Sequence, residues 1–220
     1  MLKEATRFGD PDAKDILIQI TGEQETDFLQ NEFDRICTLS GRKDPGLIAI
    51  PVSDWNADLS PWEAPAVFGN EGFGGGAQKT LDELSGRVRT IRAEAAPDAK
   101  LYLGGYSLAG LFALWAGTRT DVFEGIAAAS PSVWFPGFTD YLKTHPVHTG
   151  CVTLSLGDKE ERTRHPVMRT VGSAIRETQE ILTRQGITAE LEWNPGNHFR
   201  DPDLRMAKGF ARLLQLCYNI

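Results

Sequence analysis

Leu101-Tyr102-Leu103-Gly104-Gly105-Tyr106-Ser107-Leu108-Ala109-Gly110 is the stretch that decides how this chain is read. It begins as a short apolar strand, tightens into a turn carrying one serine, and continues as an apolar helix through Leu111-Phe112-Ala113-Leu114-Trp115-Ala116. A turn this sharp tolerates only small residues two positions before and after the serine, because a larger side chain would meet the adjacent backbone. Gly105 and Ala109, backed by Gly110, satisfy that demand. The hydroxyl of Ser107 is thereby lifted out of the backbone at the end of a sheet. Small residues around a serine arise often by chance; the strand before it and the helix after it give the pattern its weight.

Outward from that turn, apolar runs alternate with helix-compatible segments. Ile16–Ile20, Leu47–Val52, Gly125–Ala129, Cys151–Leu156 and Thr188–Trp193 read as strands, in addition to the strand entering the turn. Helices are expected over Thr26–Ser40, Ala77–Ala95, Pro166–Gln185 and Asp201–Tyr218, the second with Leu81, Leu84, Val88 and Ile91 at helical spacing. Strands separated by helices require long right-handed crossovers. The expected class is α/β: a compact, mainly parallel sheet of about six strands with helices on both faces. One domain is expected over the whole chain, with no lid domain, because the connection from Pro131 to Gly150 is short.

Composition narrows the partners. The formal charge is −7, and Lys and Arg are scattered, which argues against nucleic acid and anionic membrane surfaces. Cys37, Cys151 and Cys217 are odd in number and far apart, without metal-ligand spacing or a disulfide framework. The start, Met1-Leu2-Lys3-Glu4, carries no secretory signal, so a cytoplasmic location with reduced thiols is the expectation. The glycine-rich stretch from Gly69 to Gly76 lacks the Gly-Lys-Ser/Thr ending of a phosphate loop. No cofactor and no metal are expected.

A serine hydroxyl attacks poorly near neutral pH unless a base lies within hydrogen-bond reach and a third group orients that base. Of His145, His148, His165 and His198, only His198 hangs in a Pro/Gly/Asn loop just after the last strand, in Asn194-Pro195-Gly196-Asn197-His198-Phe199. The loop after Cys151–Leu156 reads Gly157-Asp158-Lys159-Glu160-Glu161 and offers three carboxylates. The order serine, acid, histidine along the chain accommodates any of them.

With these pieces in place, the chain resembles the esterase (enterochelin-esterase-like) branch of the α/β-hydrolase superfamily. The resemblance rests on Gly105-Tyr106-Ser107-Leu108-Ala109-Gly110, Ser130-Pro131-Ser132-Val133-Trp134 and Gly196-Asn197-His198, and spans roughly Ile16 to Phe199. Ala109 stands where the commonest form has a second glycine, and only a short segment precedes Ile16 where fuller hydrolase domains carry two more strands. The resemblance implies Ser107 as nucleophile and His198 as base. It places the acid three residues after the loop glycine, at Glu160, with Asp158 and Glu161 still open. It also implies an oxyanion hole built from the backbone N–H of Leu108 and of a residue after the first strand, for which Glu23 is the candidate. Trp55 and Trp134, in segments leaving the same sheet edge, are expected to wall a substrate pocket. The activity implied is cleavage of small carboxylic esters; thioester cleavage, acyl transfer, or a non-catalytic scaffold of the same fold are the alternatives.

Overall fold

Apolar runs separated by helices can all be buried only if helices cover both faces of one sheet. The computed structural model describes residues 1–23, 28–67 and 69–217. Its strands are β1 (Thr6–Gly9), β2 (Asp15–Thr21), β3 (Gly46–Pro51), β4 (Glu63–Ala64), β5 (Phe73–Gly74), β6 (Lys100–Tyr106), β7 (Gly125–Ala129), β8 (Cys151–Gly157) and β9 (Thr188–Asn194). Its helices are α1 (Leu29–Ser40), α2 (Trp55–Leu59), α3 (Ala77–Glu94), α4 (Leu108–Gly117), α5 (Phe138–Thr144), α6 (Val171–Arg184) and α7 (Pro202–Leu216). Thr26 and Tyr218, the expected outer bounds of the first and last long helices, lie outside the described residues.

Seven strands form one sheet in the order β1-β3-β2-β6-β7-β8-β9, while β4 and β5 make a separate two-stranded ribbon. All pairings in the large sheet are parallel except β1 with β3. Six strands are those expected from the sequence; β1 is the addition. Its four residues are mostly exposed, so no apolar periodicity marks them.

Side chains alternate along the central strands as the pleat requires. On β2, Ile16, Ile18 and Ile20 enter one core and Leu17 the other, and on β6 Leu101 and Leu103 oppose Tyr102. Leu81, Leu84 and Val88 of α3 and Leu111 and Phe112 of α4 close the first core. Phe33 and Ile36 of α1 and Met206 and Phe210 of α7 close the second. Trp115 on α4 is buried, whereas Trp193 on the edge strand β9 is 38% exposed, with the Arg176 guanidinium 4.7 Å from its ring centre. Because β2, β6, β7, β8 and β9 run in parallel, their C-terminal ends bring Thr21, Tyr106, Ala129, Gly157 and Asn194 to one edge of the sheet.

The expectation of unpaired thiols fails for two of the three cysteines. Cys151 opens β8 and Cys217 follows α7; the two form a disulfide with their Cα atoms 6.3 Å apart, and Cys37 is free. Spacing could not reveal this pair, because 66 residues, with one crossover and a further helix, separate them. Closing a loop of that length constrains the unfolded chain by about 4 kcal/mol in the chain-entropy model. Such a bond persists in oxidising surroundings, so the expectation of reduced thiols does not hold for this pair. Treatment with a thiol-free reductant is expected to lower the thermal midpoint of the purified protein and to raise its intact mass by the two hydrogens taken up. An unchanged mass would show that the bond does not form.

Candidate active site

Ser107 sits between the last residue of β6 and the first of α4, with φ 57° and ψ −119°. A non-glycine residue there is strained by roughly 1–3 kcal/mol and persists only where its surroundings fix it. Here they do. The Ser107 amide donates to the Ala129 carbonyl at 3.0 Å, and its own carbonyl accepts from Leu111 at 3.1 Å and Ser132 at 3.0 Å. The turn closes so tightly that a Cβ on Gly105 would lie 2.6 Å from the Cβ of Ala109. Ala109 is tolerated because its opposite number has no side chain.

The hydroxyl meets the imidazole supplied by the loop after β9. His198 Nε2 lies 3.0 Å from Ser107 Oγ, and His198 Nδ1 lies 2.8 Å from Glu160 Oε2. The structure thus brings Ser107, His198 and Glu160 into one hydrogen-bonded chain. The other loop carboxylates point elsewhere: Asp158 accepts from the Gly196 amide at 2.7 Å, and Glu161 lies 3.3 Å from Arg176. Among the remaining histidines, His145 stacks on Tyr141 with ring centres 3.9 Å apart, whereas His165 lines the cavity in front of Ser107.

Glu160 is held by more than the histidine. Its Oε1 accepts from the Gly157 amide at 2.7 Å, the Ser130 hydroxyl at 2.8 Å and Arg205 Nη1 at 2.8 Å. Burial pushes the Glu160 carboxyl up, but the hydrogen bond and charge of His198, with the Gly157 amide and the Ser130 hydroxyl, outweigh it and leave the group below the ordinary glutamate range. A Cβ on Gly157 would fall 2.4 Å from the Gly196 carbonyl and 2.9 Å from Glu160 Oε1, so only glycine fits where the acid loop and the histidine loop meet.

Three supporting groups were not foreseen from the sequence. Arg205 on α7 is 1% exposed, and Nη1 also donates to Ser130 at 3.0 Å and to the Tyr106 hydroxyl at 3.2 Å. Its Nη2 reaches the carbonyls of Pro195 at 3.3 Å and Asn197 at 2.8 Å. Tyr106 in turn donates to the His198 carbonyl at 2.5 Å. Burial, with the nearby Glu160 charge, pushes the Tyr106 phenol up to about 12 against the opposing pull of Ser130 and Arg205, so it stays a neutral donor. Ser130, at φ 42°, directs its hydroxyl to Glu160 from the end of β7. The available signal was a lone cation among the otherwise apolar buried residues of α7.

A cavity of about 720 Å³ opens over Ser107. Trp55 and Trp134 line it together with Phe73, Leu108 and Met168. Trp62 does not; it packs against Phe135 and Tyr141 and donates to the Pro136 carbonyl. Leu108 opens α4, so its N–H is among those without an intrahelical acceptor. Glu23 is not among the described residues of the cavity wall, and its side chain pairs with Lys3. Residues 24–27, which continue that loop, lie outside the described residues. Among the described residues no group of His, Cys, Asp and Glu is placed to hold a metal ion, and no helix is long and apolar enough to cross a membrane.

No protein-family model matches the chain, and no curated relative matches it. Solved structures do. A siderophore hydrolase, EstA, from Aspergillus nidulans is 19% identical with a TM-score of 0.72, covering 94% of this chain and 84% of its own. An IroE-like serine hydrolase from Shewanella oneidensis is 16% identical with a TM-score of 0.72, over 94% of this chain and 72% of that one. The fold is that of the α/β-hydrolases. The enterobactin esterase FES from Shigella flexneri shares it at 16% identity and a TM-score of 0.63, and there the match covers 96% of this chain but 55% of that protein. In the large sheet of this chain β1 alone precedes β2.

Two measurements test the support around Glu160. Arg205→Met removes the partner of a buried carboxylate and is expected to cost about 3–5 kcal/mol in urea unfolding, as for other broken buried pairs. A loss under about 1 kcal/mol would mean that the pair is idle. Because the Glu160 carboxyl is depressed in the folded state, its contribution is complete above the range where an unfolded glutamate titrates and disappears as pH falls through the lower folded value. The wild-type unfolding midpoint is therefore expected to drop more steeply in acid than that of Glu160→Gln. Parallel curves would contradict that assignment.

Proposed function

We propose that the chain is a serine hydrolase that cleaves small carboxylic esters through an acyl-enzyme on Ser107. The single observation that carries this is the unbroken relay from Ser107 Oγ to His198 Nε2 and from His198 Nδ1 to Glu160. Names of the structural neighbours, several of them ester-cleaving enzymes, support ester chemistry over other uses of a serine. A cavity of about 720 Å³ with aromatic walls suits a small organic ester.

His198 Nε2 takes the Ser107 proton as Oγ adds to the ester carbonyl. The tetrahedral oxyanion is held by the Leu108 N–H and by a second amide from the loop after β2, for which Glu23 remains the proposed donor. Glu160 keeps the Nδ1 proton in place and faces the imidazolium as it forms. When the carbon–oxygen bond breaks, His198 passes its proton to the departing alcohol. Water then adds to the acyl group with His198 as base, and the acid leaves with Ser107 restored. No residue in this sequence calls for a cofactor. The connection between β7 and β8 holds only the short helix α5, so the proposed site lacks a lid domain and favours short acyl chains over long ones.

Wild type is expected to hydrolyse para-nitrophenyl acetate and to be labelled covalently by a fluorophosphonate. Ser107→Ala should abolish the labelling and lower kcat by at least about a thousandfold, as removal of a serine nucleophile does elsewhere. Labelling that survives Ser107→Ala, or folded wild type inert toward every ester and toward the probe, would defeat the proposal.

A further inference from the structure

Basic side chains outnumber acidic ones in the lining of the cavity over Ser107. Lys159, Arg162 and His165 line it, while Glu160 is the one acidic residue among the described lining, and that carboxylate is engaged by His198 and Arg205. The segment from Lys159 to Arg169 also carries Arg164 and Arg169. Its other acid, Glu161, is turned away to Arg176 on α6. Among the described residues, none of Lys159, Arg162, Arg164 and Arg169 forms an ion pair, although the chain has 30 Asp and Glu against 23 Lys and Arg. Elsewhere Lys14, Lys143, Lys208 and Arg212 have carboxylate partners, while Lys43, Lys79, Arg89, Arg119 and Arg184 form no ion pair among the described residues; the loop differs in gathering such cations between Lys159 and Arg169, two of them facing the cavity.

Four unneutralised cations in one loop set up a local positive potential, and low-dielectric walls focus it. Those walls are present: Trp55, Phe73, Trp134 and Met168 face the same space. An anion entering beside them exchanges water for Lys159 and Arg162, and the guanidinium can grip a carboxylate with two parallel N–H donors.

We propose that this loop makes the site selective for aryl esters bearing a carboxylate away from the scissile bond. The inference rests on the ester-hydrolase reading of Ser107 and adds the charge of the substrate to it. Attraction by the loop holds the anionic end while the aromatic wall takes the ring, leaving the carbonyl at Ser107. The carboxylate could belong to the acyl part or to the alcohol, and both are addressed by the test.

Two matched pairs separate these sources. Para-nitrophenyl hemiglutarate against its methyl ester places the charge on the acyl side, and para-acetoxybenzoate against its methyl ester places it on the alcohol side. For at least one pair, wild type is expected to favour the anion in kcat/KM by about tenfold or more at low ionic strength. The preference should shrink in about 0.5 M salt and fall toward unity in the double variant Lys159→Gln/Arg162→Gln. Equal rates within both pairs, or a preference the double variant retains, would overturn the proposal. Binding of para-hydroxybenzoate and its methyl ester to Ser107→Ala, followed by tryptophan fluorescence, separates this from failure of the hydrolase reading. If no ester turns over but the carboxylate still binds about tenfold tighter and loses that advantage in the double variant, charge selection stands and ester hydrolysis falls. If no ester turns over and acid and methyl ester bind equally, the charge proposal falls as well.

Discussion

A carboxylate sealed at the C-terminal edge of the sheet governs the rest of this site. Glu160 is almost entirely removed from water, and an ionised group in that position costs several kcal/mol unless the protein replaces its hydration. The replacement is divided between its two oxygens. Oε1 collects three donors, from Gly157, Ser130 and Arg205, whereas Oε2 is left to His198 alone. That division keeps the acid charged and points one lone pair at the imidazole. It also creates a second demand, because Arg205 is itself buried and needs acceptors of its own. It finds them in the carbonyls of Pro195 and Asn197, so the cation that balances Glu160 also ties down the loop presenting His198.

The same edge stores backbone strain. Ser107 and Ser130 both adopt positive φ immediately after parallel strands, and they are neighbours because β6 and β7 pair with Tyr106 opposite Ala129. Each strained residue is fixed by the strand beside it. Ser107 donates to Ala129, and Ser130 donates to Ser155 on β8. A sheet in register is therefore what aims both hydroxyls, one toward His198 and the other toward Glu160. Disturbing the register would release the two turns together.

Local sterics made part of this legible in the sequence. The turn at Ser107 could be read because glycine, serine and alanine spacing reports a close backbone approach within five residues. The placement of His198 followed from chain order and from a Pro/Gly/Asn loop after the final strand. The choice among Asp158, Glu160 and Glu161 was not legible to the same degree, since it depends on the path of the single helical turn at Glu160–Arg162. Arg205 was harder still. Its acceptors are backbone carbonyls of another loop and a carboxylate 45 residues away, and neither leaves a mark on the amphipathic pattern of α7. The strand β1 and the Cys151–Cys217 bond escaped for related reasons: one has no apolar period, and the other joins elements that only the folded sheet makes adjacent.

The three acidic residues of that loop also show why neighbouring carboxylates are not interchangeable. Asp158 caps the Gly196 amide and so holds the histidine loop against the end of β8. Glu161 turns outward to Arg176 and fills the space above Gly172, where a Cβ would lie 1.6 Å from its carboxylate. Only Glu160 is directed inward. Its neighbours fix the loop from both sides, one to the strand edge and one to α6, so that the side chain between them has a single direction left. An acid moved one position along this loop would exchange a buried contact with His198 for a solvated ion pair. Asp158 and Glu161 never touch the imidazole, but by holding the loop on either side of Glu160 they support the direction from which it meets His198.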